Sequence, residues 1–134
     1  MKTTKIWANF SVKDTERTRQ FYTQLGFTPS KQNNFPKLAS FLFGEDDFVI
    51  HFFEQGSKID EYLTPGGAAT TSEIIFTLSA ETEAEVNEWA EKVKNAGGTI
   101  FHQVGRDENN YYGFAFADPD GHKFNVILMD NRMW

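Results

Sequence analysis

The stretch DPDGHKFNVIL, Asp118 to Leu128, reads as a tight turn feeding a strand, with Pro119 presetting φ at one corner and Gly121 relieving the exit. A similar phrase, EDDFVIHFF, runs from Glu45 to Phe53. One copy carries His51 where the other carries Asn125. The repetition bears on the fold, and the difference bears on what the chain can bind.

Working outward, each phrase closes a module of the same plan. In the first, Lys5 to Val12 alternates as a strand, with Ile6, Ala8, Phe10 and Val12 on one face and Trp7, Asn9 and Ser11 on the other. Asp14 can cap a helix over about Thr15 to Leu25, where Thr18, Phe21, Tyr22 and Leu25 recur at helical spacing before Gly26. Short strands are expected near Thr28 to Gln32, Leu38 to Phe43 and Phe48 to Phe53. The second module repeats the order. A strand over Ser72 to Ala80 leads to a helix opened by Thr82 and Glu85 in capping-box spacing, with Val86, Trp89, Ala90 and Val93 as its apolar stripe and Gly97 and Gly98 at its end. Strands near Thr99 to Val104, Tyr111 to Ala117 and Lys123 to Leu128 complete it.

The halves overlay with Trp7, Phe10 and Val12 on Glu73, Phe76 and Leu78 at an offset of 66, with Phe41 and Phe43 on Phe114 and Phe116, and with His51 on Asn125. The expected fold is α+β, two tandem βαβββ modules in one domain spanning 1–134. The first module covers about 5–54, a linker about 55–71, and the second module about 72–129. One helix covers only one face of a four-stranded sheet, so the two bare faces are expected to form a curved mixed sheet with a concave pocket.

Composition narrows the functions. With 134 residues, 40% of them hydrophobic and 14 of them Phe, the chain has enough apolar material for one packed core. It has no cysteine, which excludes disulfides, thiolate metal sites and a Cys nucleophile. A net charge of -6 with scattered basic residues argues against nucleic acid. No apolar run approaches the roughly 18 residues that span a bilayer, and the opening residues lack a signal-peptide pattern, so a soluble, cytoplasmic protein is expected.

The motif VKDTERTRQFYTQLGF, Val12 to Phe27, together with FADPDGHKFNVI, Phe116 to Ile127, strongly resembles the vicinal oxygen chelate superfamily. That superfamily includes glyoxalase I, bleomycin- and fosfomycin-resistance proteins and extradiol dioxygenases. The resemblance covers nearly the whole chain and is nearest to small bacterial glyoxalase-like proteins, in which an Asn similar to Asn9 sits in the first strand. In metal-using members, side chains from the first, fourth, fifth and eighth strands converge on a divalent ion. The matching positions here are Trp7, His51, Glu73 and Asn125.

An indole has no available lone pair, and Asn125 offers only a neutral carbonyl oxygen. His51 and Glu73 alone remain strong ligands, fewer than the three protein ligands of a catalytic zinc site. The expected function is therefore binding of a small organic molecule with a flat or cationic part, at Trp7, Asn9, His51, Glu73 and Asn125, with no cofactor. The alternative is a divalent-metal-dependent lyase, isomerase or dioxygenase using His51 and Glu73, in which the ion acts as Lewis acid. Glu73 is the candidate base for a metal-free reaction. A third reading is a module that acts by pairing, since the resemblance implies a homodimer. His102 and His122 receive no role, GEDDF reads as a turn, and PGGAATTS reads as linker because it lacks the Lys of a phosphate loop.

Overall fold

The computed structural model describes residues 1–32, 34–63 and 74–130. It divides into two compact units, Met1–Ala69 and Thr70–Trp134. In the first unit, β1 (Trp7–Val12) leads to α1 (Thr15–Gln24), β2 (Thr28–Pro29), β3 (Leu38–Phe43), β4 (Phe48–Glu54) and the short α2 (Ile59–Leu63). The second contains β5 (Ile75–Ala80), α3 (Glu83–Ala96), β6 (Thr99–Arg106), β7 (Tyr112–Ala117) and β8 (Lys123–Leu128). Each unit holds a four-stranded mixed sheet, ordered β1-β4-β3-β2 in the first and β5-β8-β7-β6 in the second. The outer strand pairs in parallel with the last strand in both sheets, and the remaining neighbours are antiparallel.

The capping residues start the helices as their sequence requires. The Asp14 carboxylate accepts from the Arg17 backbone N–H at 3.1 Å, and the Thr82 hydroxyl accepts from that of Glu85 at 3.1 Å. The reciprocal arm of the second cap is displaced by one residue, because the Glu85 carboxylate accepts from the backbone N–H of Glu81 at 2.8 Å. α3 ends at Gly97, whose φ of 95° an L side chain would resist.

One face of each sheet is closed by its helix. In the first unit, Phe21, Tyr22 and Leu25 pack with Phe41, Phe43, Ile50 and Phe52, all at 5% exposure or less. Tyr22 stacks on Phe52 at 4.6 Å and meets Phe43 edge-on at 6.0 Å. In the second, Val86, Ala90 and Val93 of α3 cover a face containing Phe114, Phe116, Phe124 and Val126, with Phe116 stacked on Phe124 at 5.3 Å. Each such ring contributes about 1.5–3 kcal/mol by leaving water.

Several details differ from the sequence reading. β1 begins at Trp7, leaving Ile6 77% exposed and outside the core face. β2 spans two residues, and β6 runs on to Arg106 through register shifts around His102. Within the stretch read as linker, residues 59–63 form α2, and the remainder from Thr64 onward lies outside the described residues.

The offset between the halves also changes. The N-caps Asp14 and Thr82 differ by 68, and so do Val12 and Ala80, whose carbonyls accept from the residue after β4 and after β8 respectively. Trp7 therefore matches Ile75, not Glu73. Phe41 matches Phe116, because each lies one step from the residue paired with His51 or Asn125. Offsets of 66 and 68 preserve the same alternation, so periodicity could not separate them; caps and ladders do.

Gly113 of β7 has no room for a methyl group, since an added Cβ would lie 2.2 Å from the Val126 carbonyl oxygen and 2.7 Å from Ile127 Cδ1. Gly113→Ala should cost about 1–3 kcal/mol in urea denaturation, through forced displacement of β8. An unchanged midpoint would contradict this packing.

Candidate binding groove

The face of the first sheet opposite α1 is set by strand register. Asn9 stands beside His51, and His51 beside Ser40, forming one row across β1, β4 and β3. The next row is Ser11, Phe53 and Leu38, and the row on the other side is Trp7, Val49 and Leu42. Ser40 is fully buried and its Oγ lies 2.5 Å from His51 Nδ1. Either the hydroxyl donates to a bare Nδ1, or Nδ1–H donates to the hydroxyl oxygen; the tautomer decides which, and leaves Nε2 as donor or acceptor accordingly. Phe53 meets the imidazole edge-on at 5.9 Å. Burial lowers the His51 pKa below its ordinary value of 6.5, so the ring is neutral at neutral pH.

A cavity of about 700 Å³ opens on this face, within the first unit. Asn9, Leu38 and Phe53 supply its sheet side, while Ile59, Tyr62 and Leu63 supply the α2 side. Phe35, in the β2–β3 connection, and Lys37, Ser57 and Lys58 complete the lining. The short helix is held in place locally. Gly56 turns the chain with φ of 86° and donates its N–H to Asp60 Oδ2 at 2.8 Å, and the Ser57 hydroxyl donates to the Glu54 carbonyl at 2.6 Å. Ile59 is buried, whereas Tyr62 and Phe35 remain 72% and 58% exposed. Large apolar side chains left open beside a concavity are the usual mark of a binding surface.

Of the residues singled out from sequence, Asn9 lines this groove and His51 lies next to it in the same strand row. Trp7 occupies the same face but is 53% exposed and outside the groove lining. Glu73 lies outside the described residues. Asn125 stands in the second sheet between Thr77 and Ala115, and its Oδ1 is buried without a hydrogen-bond partner among the described residues. His122 is buried, its Nδ1 2.9 Å from Asp118 Oδ2, while Asp118 Oδ1 accepts from the backbone N–H groups of Asp120 and His122 at 2.9 Å each. This cluster builds the tight turn that feeds β8.

Sequence reasoning did not find Phe35, Lys37, Lys58 or the α2 side of the groove. The available signal was IDEYL, in which Ile59, Tyr62 and Leu63 recur at helical spacing inside the stretch read as linker.

The described donor atoms do not fit a transition-metal centre. No three His, Cys, Asp or Glu residues are grouped to hold an ion among the described residues. The neighbours of His51 across the ladder are an amide and a hydroxyl already engaged with it, and those of Asn125 are a hydroxyl and a methyl group.

The family model for the Glyoxalase/Bleomycin resistance protein/Dioxygenase superfamily matches residues 6–126. Among solved structures, the chain is similar to hypothetical protein SA1046 from S. aureus, at 27% identity over 96% of each chain with a TM-score of 0.82. It is similar in fold to a glyoxalase-related enzyme from Fulvimarina pelagi, at 20% identity over 95% of this chain and 89% of that one, TM-score 0.78. A glyoxalase/bleomycin resistance protein/dioxygenase family enzyme from Burkholderia phytofirmans PsJN shares the fold at 16% identity over 91% and 95%, TM-score 0.77. The two βαβββ units and the match along most of the chain place it in a definite class: the protein belongs to the glyoxalase/bleomycin resistance/dioxygenase superfamily.

Because the folded pKa of His51 is depressed, the unfolded chain takes up the proton first as pH falls. The stability contributed by the neutral, buried ring is therefore present above about pH 6.5 and is lost on acidification toward the folded pKa. An NMR titration should place the His51 midpoint below 6.5, and His51→Gln should flatten the loss of stability between about pH 7 and pH 5. A midpoint at or above 6.5 would contradict the burial account.

Proposed function

We propose that the chain binds a small organic molecule in the groove over the bare face of its first sheet, without a tightly held metal. The observation that carries this reading is the groove itself: about 700 Å³, walled by Phe35, Leu38, Phe53, Ile59, Tyr62 and Leu63, with a few polar groups at its margin. That volume lies within the roughly 300–1,000 Å³ of small-molecule sites, and the mixture of apolar walls and sparse polar groups is their common chemistry. Membership of a superfamily that includes binders as well as catalysts agrees with it. The neighbours of His51 across the ladder, Asn9 and Ser40, are neutral groups and weak ligands for a transition ion.

The anchor of this site differs from the one expected from sequence. Asn9 remains a lining residue, but the aromatic contacts pass from Trp7 to Phe53 and Tyr62.

Screening an aromatic ligand library by thermal shift should yield mutually competitive hits. Phe53→Ala and Tyr62→Ala should each weaken them about tenfold, equivalent to about 1.4 kcal/mol, while Trp7→Ala changes affinity little. Hits indifferent to Phe53 and Tyr62 would place the site elsewhere.

After incubation with Ni²⁺, Zn²⁺, Mn²⁺ or Fe²⁺ and desalting, retained metal should fall well below one equivalent and be unaffected by His51→Ala. A stoichiometric ion lost in that variant would replace this reading with a metal-dependent lyase, isomerase or dioxygenase.

A further inference from the structure

We infer that the groove selects anions: its ligand is a carboxylate-bearing molecule with a flat apolar body, its carboxylate met by the ammonium groups of Lys37 and Lys58. This inference rests on the proposed groove and specifies the charge of its occupant.

The chain carries 19 Asp and Glu against 13 Lys and Arg, yet among the described lining residues the charged ones are two lysines, with no Asp or Glu. The local charge is thus opposite in sign to the net charge. Elsewhere, four described cations are neutralised: Arg19 pairs with Glu16, Lys92 with Glu88, Lys94 with Glu91, and Arg106 with Glu83, while Lys2, Lys5 and Lys31 have no carboxylate partner among the described residues. Neither Lys37 nor Lys58 has a carboxylate partner among the described residues.

Two carboxylates near in sequence are committed to other tasks, and a third, Glu61, three residues after Lys58, forms no ion pair with it among the described residues. Glu54 follows Phe53 and so points to the opposite face of the sheet, where its Oε1 accepts from the backbone N–H and hydroxyl of Thr15, both at 3.2 Å. Asp60 accepts from the Gly56 N–H.

Both lysines are anchored around one strand end. The Lys37 carbonyl accepts from the Glu54 N–H at 3.0 Å, and Ser57, which precedes Lys58, donates to the Glu54 carbonyl. Their backbones are therefore held beside the groove mouth, so that an entering anion gains charge contacts without ordering a loop. The apolar walls exclude water from the rest of the ligand and strengthen those contacts.

Isothermal titration with naphthoate, naphthamide and naphthylmethylammonium separates charge from shape. Naphthoate should bind about five- to tenfold more tightly than the amide, and the ammonium compound most weakly. A Lys37→Met/Lys58→Met double variant should lose the preference for naphthoate while still binding the amide, which also shows that the groove remains folded. Raising salt should weaken naphthoate alone. Equal binding of acid and amide, or tightest binding of the ammonium compound, overturns the anion inference and leaves the groove reading standing. Failure of all three to bind overturns both.

Discussion

In each unit the first strand lies parallel to the last, and that pairing governs the rest of the architecture. Parallel neighbours cannot be joined by a tight turn, so the chain must leave the sheet and return, and the intervening helix packs across one face as it does so. That face becomes a dense aromatic layer, with Tyr22 on Phe52 in one unit and Phe116 on Phe124 in the other. The opposite face receives alternate residues of the same strands. The pairing that builds the core thus also sets Asn9, His51 and Ser40 in a row, and Thr77, Asn125 and Ala115 in its counterpart.

The two rows share geometry and differ in chemistry. His51 has a buried hydroxyl beside it, and burial keeps the ring neutral. Asn125 has a methyl group in the corresponding place, and its carbonyl oxygen is left without a partner among the described residues. Neither row assembles the anionic or imidazole ligands that would hold a transition metal. The first unit instead acquires an extra element, α2, whose Ile59, Tyr62 and Leu63 turn a bare sheet face into a walled groove.

Much of the architecture was legible because it rests on local rules. Alternation identified the faces of β1, Asp14 and Thr82 marked the helix starts, and Gly97 marked a helix end. The sequence-level overlay slipped by two residues at the first strand because a shift of two leaves every side chain on its own face. Only the ladders and caps, which count residues, could correct it. Trp7 shows the same limit: alternation placed it on the bare face, but exposure depends on what lies beyond that face.

The amino-acid sequence alone determined the doubled βαβββ plan and the superfamily, though not α2, since capping, periodicity and turn chemistry act between residues a few positions apart. Tertiary structure decided where the groove lies. Phe35, Lys37, Phe53 and Tyr62 are separated along the chain and meet through strand register and one short helix. The charge of that groove was likewise invisible in a net value of -6, because each carboxylate's influence depends on the face it points to and the partner it already has.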